Sequence, residues 1–247
     1  MKGYDPVSTF VGDEAVRFHD VRGDEDECVA FLKARAGDGP ALELAIGTGR
    51  IARPLAEAGV RVDGIDFAPE MVARLREKPG GGALDVKVDD FVAVDMPGPY
   101  RLIFIIWNSF FNVLSQDNQA RCFENVAAKL TDGGRFIVEA FSPARFHRLD
   151  DGGQVEAEAV GADAVRIGVL RHDPATQIIE QNHVTLTTEG NRFTPVVQRY
   201  AWPSELDLMA RLAGLELKER FGGWRGEPFD AASAFHVSVY GKRSGWP

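Results

Sequence analysis

The sequence predicts an α/β protein, a three-layer sandwich around a mostly parallel sheet, with an antiparallel β meander inserted after the fifth strand. Three observations carry this expectation. Up to about residue 143, short apolar runs alternate with segments of helical spacing, the pattern of a parallel sheet with helices on both faces. The run at 101–107 is apolar after its first residue, as suits a central strand covered on both sides. Residues 144–200 break the alternation. Strand-like runs at 165–171, 177–187 and 192–202 are separated by the turn signals Asp173-Pro174-Ala175-Thr176 and Glu189-Gly190-Asn191.

Residues 1–23 are irregular, with Tyr4, Phe10, Phe18 and His19 as scattered ring-bearing side chains. A helix is expected over 24–36, where Val29, Phe31, Leu32 and Ala36 share a face behind an acidic first turn. Gly37-Asp38-Gly39-Pro40 breaks it. A first strand from Ala41 then runs into the turn Gly47-Thr48-Gly49, a helix fills 50–58, and a second strand at 60–65 ends in Asp66. Pro69 opens a helix at 69–77 with Met71, Val72 and Leu75 at helical spacing. A glycine-rich loop leads to a strand at 84–88, ended by Asp89-Asp90-Phe91. The fourth strand ends in Trp107-Asn108-Ser109. Ser115 is placed to cap a helix reaching Leu130, with Ala120, Phe123, Val126, Ala127 and Leu130 on one face. Asp132-Gly133-Gly134 is read as the turn into a fifth strand at 135–140. Past the meander, Pro203 starts a helix carrying Leu206, Leu208, Met209 and Leu212, and strands near 215–221 and 234–241 follow.

The 247 residues, 45% hydrophobic and 26% charged, suit a globular chain that buries a core without disulfide or metal staples. A net charge of −9 opposes nucleic acid and anionic membrane surfaces, so neither is an expected partner. Cys28 and Cys122 lie in helical patterns without C-x-x-C spacing, which reads as two reduced thiols in a cytoplasmic protein. The opening Met-Lys-Gly-Tyr-Asp-Pro has no apolar signal stretch, and the run at 102–107 is too short to span a bilayer. None of the five histidines falls into metal-ligand spacing with other donors, so no metal is expected.

The segment Glu43-Leu44-Ala45-Ile46-Gly47-Thr48-Gly49 is the most informative. Glycines at 47 and 49 remove Cβ atoms from a strand-to-helix turn and permit dihedrals that other residues avoid. The helix that follows aims unpaired N–H groups at the same place. Asp66, ending the neighbouring strand, can accept hydrogen bonds from two ribose hydroxyls. Gly47-Thr48-Gly49-Arg50-Ile51-Ala52 also fits the dinucleotide pattern G-x-G-x-x-G/A, so the turn alone indicates only a nucleoside ligand.

Three further features narrow this: Glu43 inside the first strand, Asp66-Phe67-Ala68-Pro69-Glu70-Met71 after the second, and Lys129-Leu130-Thr131-Asp132-Gly133-Gly134 before the fifth. In this order they closely resemble the class I S-adenosylmethionine-dependent methyltransferases, over 40–141 and, less specifically, 203–241. Ala45 departs from the family, which usually has glycine there. The resemblance implies a Rossmann-like seven-stranded sheet with its last strand antiparallel, S-adenosylmethionine as cofactor and S-adenosylhomocysteine as product. It implies cofactor contacts from Glu43, Ala45, Gly47 and Gly49, from Asp66 to the ribose, and from Phe67 and Met71 to the adenine. Asp90, or Asp89 if the alignment slips by one, would bond the adenine amine, and the Phe91 backbone a ring nitrogen. Trp107 lies where the sulfonium meets the acceptor.

The expected division is therefore a methyltransferase core at 1–143 and 201–247, with 1–23 as an N-terminal lid segment, and an inserted antiparallel substrate lid at 144–200. The expected activity is methyl transfer to a nitrogen or oxygen of a small molecule, such as a sugar or natural-product intermediate. A hydroxyl acceptor needs a general base. His183, alternating with Gln181 and Thr185, and Tyr200 are the candidate catalytic residues, with Arg199 a further polar group. Asn108 and Asn112 are candidates to position an acceptor. A homodimer paired through the exposed edge of the meander is the rival role for that segment. The alternative activities are a nicotinamide-dependent oxidoreductase using the same turn, or a non-catalytic S-adenosylmethionine-binding protein. The oxidoreductase leaves Glu43, Asp90 and the turn at 129–134 unexplained.

Overall fold

The computed structural model describes Met1, Tyr4 and residues 23–149 and 152–243. Apart from Met1, Tyr4 and Gly23, the N-terminal lid segment expected at 1–23 lies outside the described residues. The core strands are β1 (Ala41–Leu44), β2 (Val62–Asp66), β3 (Asp85–Val88), β4 (Tyr100–Ile105), β5 (Leu130–Phe141), β10 (Leu215–Phe221) and β11 (Phe235–Lys242). They form one seven-stranded sheet in the order β10-β11-β5-β4-β1-β2-β3. β11 runs antiparallel to both its neighbours, and the other described pairings are parallel. The chain steps from β1 outward through β2 and β3, then crosses back to β4 beside β1. The carboxyl ends of β1 and β4 thus flank the switch point where parallel α/β sheets bind ligands.

Helices α1 (Glu25–Ala36), α2 (Ala52–Glu57), α3 (Pro69–Glu77), α4 (Gln116–Lys129) and α5 (Pro203–Leu212) cover the sheet. Cys28, Leu32 and Leu55 join Ala41, Val62 and Phe104 in the core of one face. Phe123, Val126, Leu206 and Met209 join Leu42, Leu44 and Tyr240 on the other. Adjacent residues of β1 therefore serve opposite cores, as a strand buried on both faces requires. Ser115 Oγ accepts the Asn118 N–H at 3.1 Å and caps α4. The helix expected over 50–58 is shorter, Ala52–Glu57, with Pro54 in its first turn where a missing N–H costs nothing. The turn expected at 132–134 belongs instead to β5, whose pairing with β4 shifts register between Tyr100 and Leu102. Among the described residues, no helix is long and apolar enough to cross a membrane.

The insertion after β5 is a second, antiparallel sheet of four strands in sequence order: β6 (Gly153–Val160), β7 (Ala164–Asp173), β8 (Ile178–Thr187) and β9 (Gly190–Arg199). The sequence pattern supplied only three of these. β6 reads Gly-Gln-Val-Glu-Ala-Glu-Ala-Val and is mostly exposed, so it lacks the apolar alternation and β-branched enrichment that announce a strand. Its charges suit a sheet edge. Pro195 sits in β9, the opposite edge strand, where proline is tolerated.

The end of β9 anchors this sheet to the core. Arg199 is buried; its guanidinium donates to Gln119 Oε1 at 2.6 Å, Glu205 Oε1 at 2.8 Å and Gln177 Oε1 at 3.1 Å. Gln119 Nε2 donates back to the Arg199 carbonyl at 2.9 Å. Tyr200 is fully buried, and its hydroxyl lies 2.8 Å from His147 Nε2 and 3.0 Å from His172 Nε2. Arg199→Met should lower the unfolding free energy by about 3 kcal/mol, because it leaves Glu205 without its cation in a partly buried site. Tyr200→Phe should cost about 1–2 kcal/mol. Urea denaturation checks both, and an Arg199→Met protein as stable as wild type would show that the ion pair is screened.

Candidate active site

A cleft of about 250 Å³ opens at the carboxyl ends of β1, β2 and β4, roofed by one face of β8 and β9. Its floor is the turn after β1. Gly47 has φ +56°, and a Cβ there would meet only the Met71 side chain, at 3.5 Å. Its bare face therefore looks into the cleft. Gly49 does different work: a Cβ at Gly49 would strike Leu75 Cδ1 at 2.2 Å, so its missing side chain admits α3 rather than a ligand. Ala45 has φ 59°, a conformation that costs a non-glycine residue about 1–2 kcal/mol. That is a physical reason for glycine at this place in the resembling family.

Two carboxylates organise the floor. Asp66, 5% exposed, accepts the Gly47 N–H with Oδ2 at 2.7 Å and the Ala68 N–H with Oδ1 at 2.9 Å. It ties the glycine turn to the end of β2 and closes an Asx turn just ahead of α3. Burial raises its pKa, and the two N–H groups oppose that rise. Glu43, 3% exposed, has no hydrogen-bond partner for Oε2 among the described residues. Burial raises its pKa to about 8, against the Arg50 charge and the Ala52 N–H. A carboxyl group that stays mostly protonated at neutral pH and is turned into a cleft can ionise there when a cation is placed beside it.

The wall from β4 is strained. Trp107 and Asn108 both have positive φ, 55° and 63°, and such outliers cluster at functional sites. The surroundings hold them there. The Trp107 N–H donates to Glu139 Oε2 at 2.8 Å, and Asn108 Oδ1 accepts the Phe141 N–H at 2.6 Å. The Arg50 guanidinium stacks 5.0 Å from the Trp107 ring centroid and pairs with Glu25 at 3.0 Å. Gln198 Nε2 reaches the Asn108 carbonyl and Asn112 Oδ1, at 3.3 and 3.2 Å, joining the roof to this wall.

Of the residues singled out from sequence, Glu43, Ala45, Gly47, Asp66, Phe67, Met71, Phe91, Trp107 and His183 line one cleft. Four are not brought there. Gly49 packs against α3, as above. Asp90 is exposed outside the cleft lining, and its Oδ1 accepts the Val92 N–H at 2.9 Å. Tyr200 lies in the anchor, its hydroxyl held between two histidines, and neighbouring Arg199 is spent on the same anchor. The lining residues that sequence reasoning passed over include Arg50, Ile106 and, on β9, Thr194, Val196 and Gln198. The spacing of two on β9, matched to 181 and 183 on β8, was the signal that could have found the last three.

Glu43→Gln tests the raised pKa. The folded chain holds this proton up to about pH 8, whereas an unfolded carboxyl releases it near 4.5. Between those values the folded state binds more protons, so this group's contribution to stability falls as pH rises. The variant should melt progressively higher than wild type between about pH 5 and pH 8. Parallel melting curves across that range would place the proton elsewhere.

Comparison with known proteins follows the same lines. Residues 41–134 match a family model described as a methyltransferase domain. The CcbJ methyltransferase from Streptomyces caelestis superposes with a TM-score of 0.90 at 36% identity, covering 98% of this chain and all of the other. Cypemycin N-terminal methyltransferase from a Streptomyces species is 28% identical over 197 residues, 78% of each chain. The sugar N-methyltransferase KedS8 from a Streptoalloteichus species shares the fold, with a TM-score of 0.67 at 20% identity over 95% of this chain and 94% of its own. These matches set aside both the nicotinamide-dependent oxidoreductase and the non-catalytic binding protein. With its seven-stranded sheet, glycine turn and inserted meander, the chain belongs to the class I S-adenosylmethionine-dependent methyltransferases.

Proposed function

We propose that this methyltransferase acts on a nitrogen or oxygen of a small molecule held between the glycine turn and the inner face of the meander. The observation that carries the reading is the roof itself. Gln181 and His183 on β8, and Thr194, Val196 and Gln198 on β9, face the floor formed by Glu43, Gly47 and Asp66 across one cleft. A chamber walled on two sides limits water and fixes an acceptor in line, which is most of what methyl transfer from an activated donor demands.

The cleft suits S-adenosylmethionine. The open face of Gly47 admits a ligand against the backbone. Glu43, with an unsatisfied buried oxygen, would take the donor's ammonium group. Asp66 would hold the ribose hydroxyls with the lone pairs its two N–H partners leave over. Phe67, Met71 and Phe91 would form an apolar wall for the adenine, and Trp107 would border the reacting end. When bound, the cofactor supplies a methyl group already activated by a positive sulfur. The protein's part is to bind, align and keep the chamber dry. Residues 144–200 thus serve as the acceptor lid, and the remainder as the cofactor-binding core.

The relative named cypemycin N-terminal methyltransferase favours an amine acceptor, and with it a second reading in which that amine belongs to a peptide. Release of S-adenosylhomocysteine during incubation with amino sugars, simple aliphatic amines, phenols and short peptides separates the classes. Release with peptides alone would overturn the small-molecule reading.

Two variants separate the halves of the site. Asp66→Ala should weaken S-adenosylhomocysteine binding by about 1.5–3 kcal/mol, measured by calorimetry on folded protein. Unchanged affinity would remove Asp66 from the cofactor site. Val196→Trp fills the roof side. It should leave S-adenosylhomocysteine affinity within about 3-fold of wild type, a change under 1 kcal/mol, and abolish transfer to any acceptor the wild type methylates. Full activity would mean that β9 does not bound the acceptor.

A further inference from the structure

His183 has a partner that no motif announces. β6 pairs with β7 in register up to Ala157↔Ile167, and the register then slips so that Ala159 faces Arg166. Glu158 is the extra residue of this β-bulge, a device that re-aims a side chain out of the regular alternation. The next strand has a gap where that side chain goes. Gly168 on β7 pairs with Glu156 on one side and with His183 on the other, and a Cβ on Gly168 would lie 2.5 Å from Glu158 Oε1. The carboxylate passes over the bare glycine, across the whole width of β7, and meets His183 Nδ1 at 2.6 Å. The other oxygen, Oε2, is ion-paired with the Arg166 guanidinium, 2.8 Å from Nε but out of line for a hydrogen bond from it. His183 is 8% exposed and lines the cleft.

Resting on the methyltransferase reading above, we propose that Glu158 is a positioning residue. Through the gap at Gly168 it fixes His183 as the Nδ1–H tautomer, leaving a basic Nε2 to take the proton of the methyl acceptor. As the acceptor's nitrogen or oxygen forms its bond to carbon and the sulfur–carbon bond breaks, the acceptor's N–H or O–H bond gives its proton to Nε2. The electron pair of that bond stays on the acceptor atom. The positive charge that leaves sulfur reappears on the imidazolium, where Glu158 lies against it. His183 enters this step neutral. Burial pushes its pKa down, Glu158 and Glu156 push it up, and Arg166 opposes them.

The bulge, the glycine and the histidine do nothing for one another in an ordinary sheet. A purely structural ion pair needs neither a carboxylate threaded over a neighbouring strand nor a ring facing a cleft.

The test is nitrogen-15 NMR of the histidine rings in wild type, Glu158→Leu and Gly168→Ala, each with S-adenosylhomocysteine affinity measured alongside by calorimetry. Wild-type His183 should be neutral at pH 7 and carry its proton on Nδ1. Both variants should lose that preference while binding S-adenosylhomocysteine within about 3-fold of wild type. With each acceptor methylated in the panel above, His183→Gln should lower kcat by about 100-fold or more, the usual worth of a positioned base. Gly168→Ala should lower kcat without a matching rise in KM. A wild-type ring protonated on Nε2, variant spectra identical to wild type, or an undiminished kcat in His183→Gln would each overturn the dyad. Failure of wild type to bind S-adenosylhomocysteine at all would instead overturn the cofactor reading beneath it.

Discussion

The geometry of the cleft depends on the carboxylate of Asp66. It sits at the end of β2, nearly out of reach of water, with one oxygen on the turn after β1 and the other on the entry to α3. Without it the Gly47 and Ala68 N–H groups would be buried and unmatched, each at a cost of about 1–3 kcal/mol. The register of β1 against β2, with Glu43 beside Gly64 and Leu44 beside Ile65, brings the two strand ends level. A cluster of backbone atoms thus becomes a fixed floor. Glu43, Gly47 and Met71 take their positions from that floor.

The roof is built on a different principle. β8 and β9 form part of a separate sheet, and its grip on the core is concentrated at one end, in Arg199, Gln119, Glu205 and the Tyr200 hydroxyl. The contact of Gln198 with Asn108 and Asn112 closes the other side near the strained end of β4. Floor and roof differ in kind. The floor is set by the conformation of a few backbone atoms, whereas the roof is made of side chains brought in from a distant part of the chain. The loop at Trp107 and Asn108 belongs to both, which is a reason for its two left-handed residues to be held by buried hydrogen bonds rather than left to relax.

Most of the core was legible because it is written locally. The glycine turn, the acid ending β2, the proline opening α3 and the apolar run of β4 each declare themselves within a few residues, and the structure gathers them where the pattern implied. The residues that the structure places away from the cleft, and the strand that the pattern did not announce, have a common cause. Asp90 and Tyr200 have the right chemistry for a site, but their partners, the Val92 N–H in one case and two histidines in the other, are set by folding and not by spacing. Gly49 looked like a second ligand-facing glycine because sequence shows the missing side chain without showing what occupies its place. β6 was invisible because an exposed edge strand of glutamate and alanine has no periodic apolar signal. Glu158 was hidden with it, since a bulge moves a residue to the face that strict alternation denies it.

The roof has a two-residue connection, Thr188-Glu189, between Thr187 and Gly190, which are paired directly across the hairpin. Every side chain that β9 offers to the cleft depends on that count. Positions 194, 196 and 198 face the cleft, while Phe193, Pro195 and Val197 belong to the alternate set of the same strand. Gaining or losing one residue at the tip would exchange the sets and turn a chamber of threonine, valine and glutamine into one of phenylalanine, proline and valine. If the roof meets the acceptor as proposed, its preference is open to change by a single insertion or deletion about as much as by substitution. The floor would be untouched, so a lineage could try new acceptors while keeping the same donor.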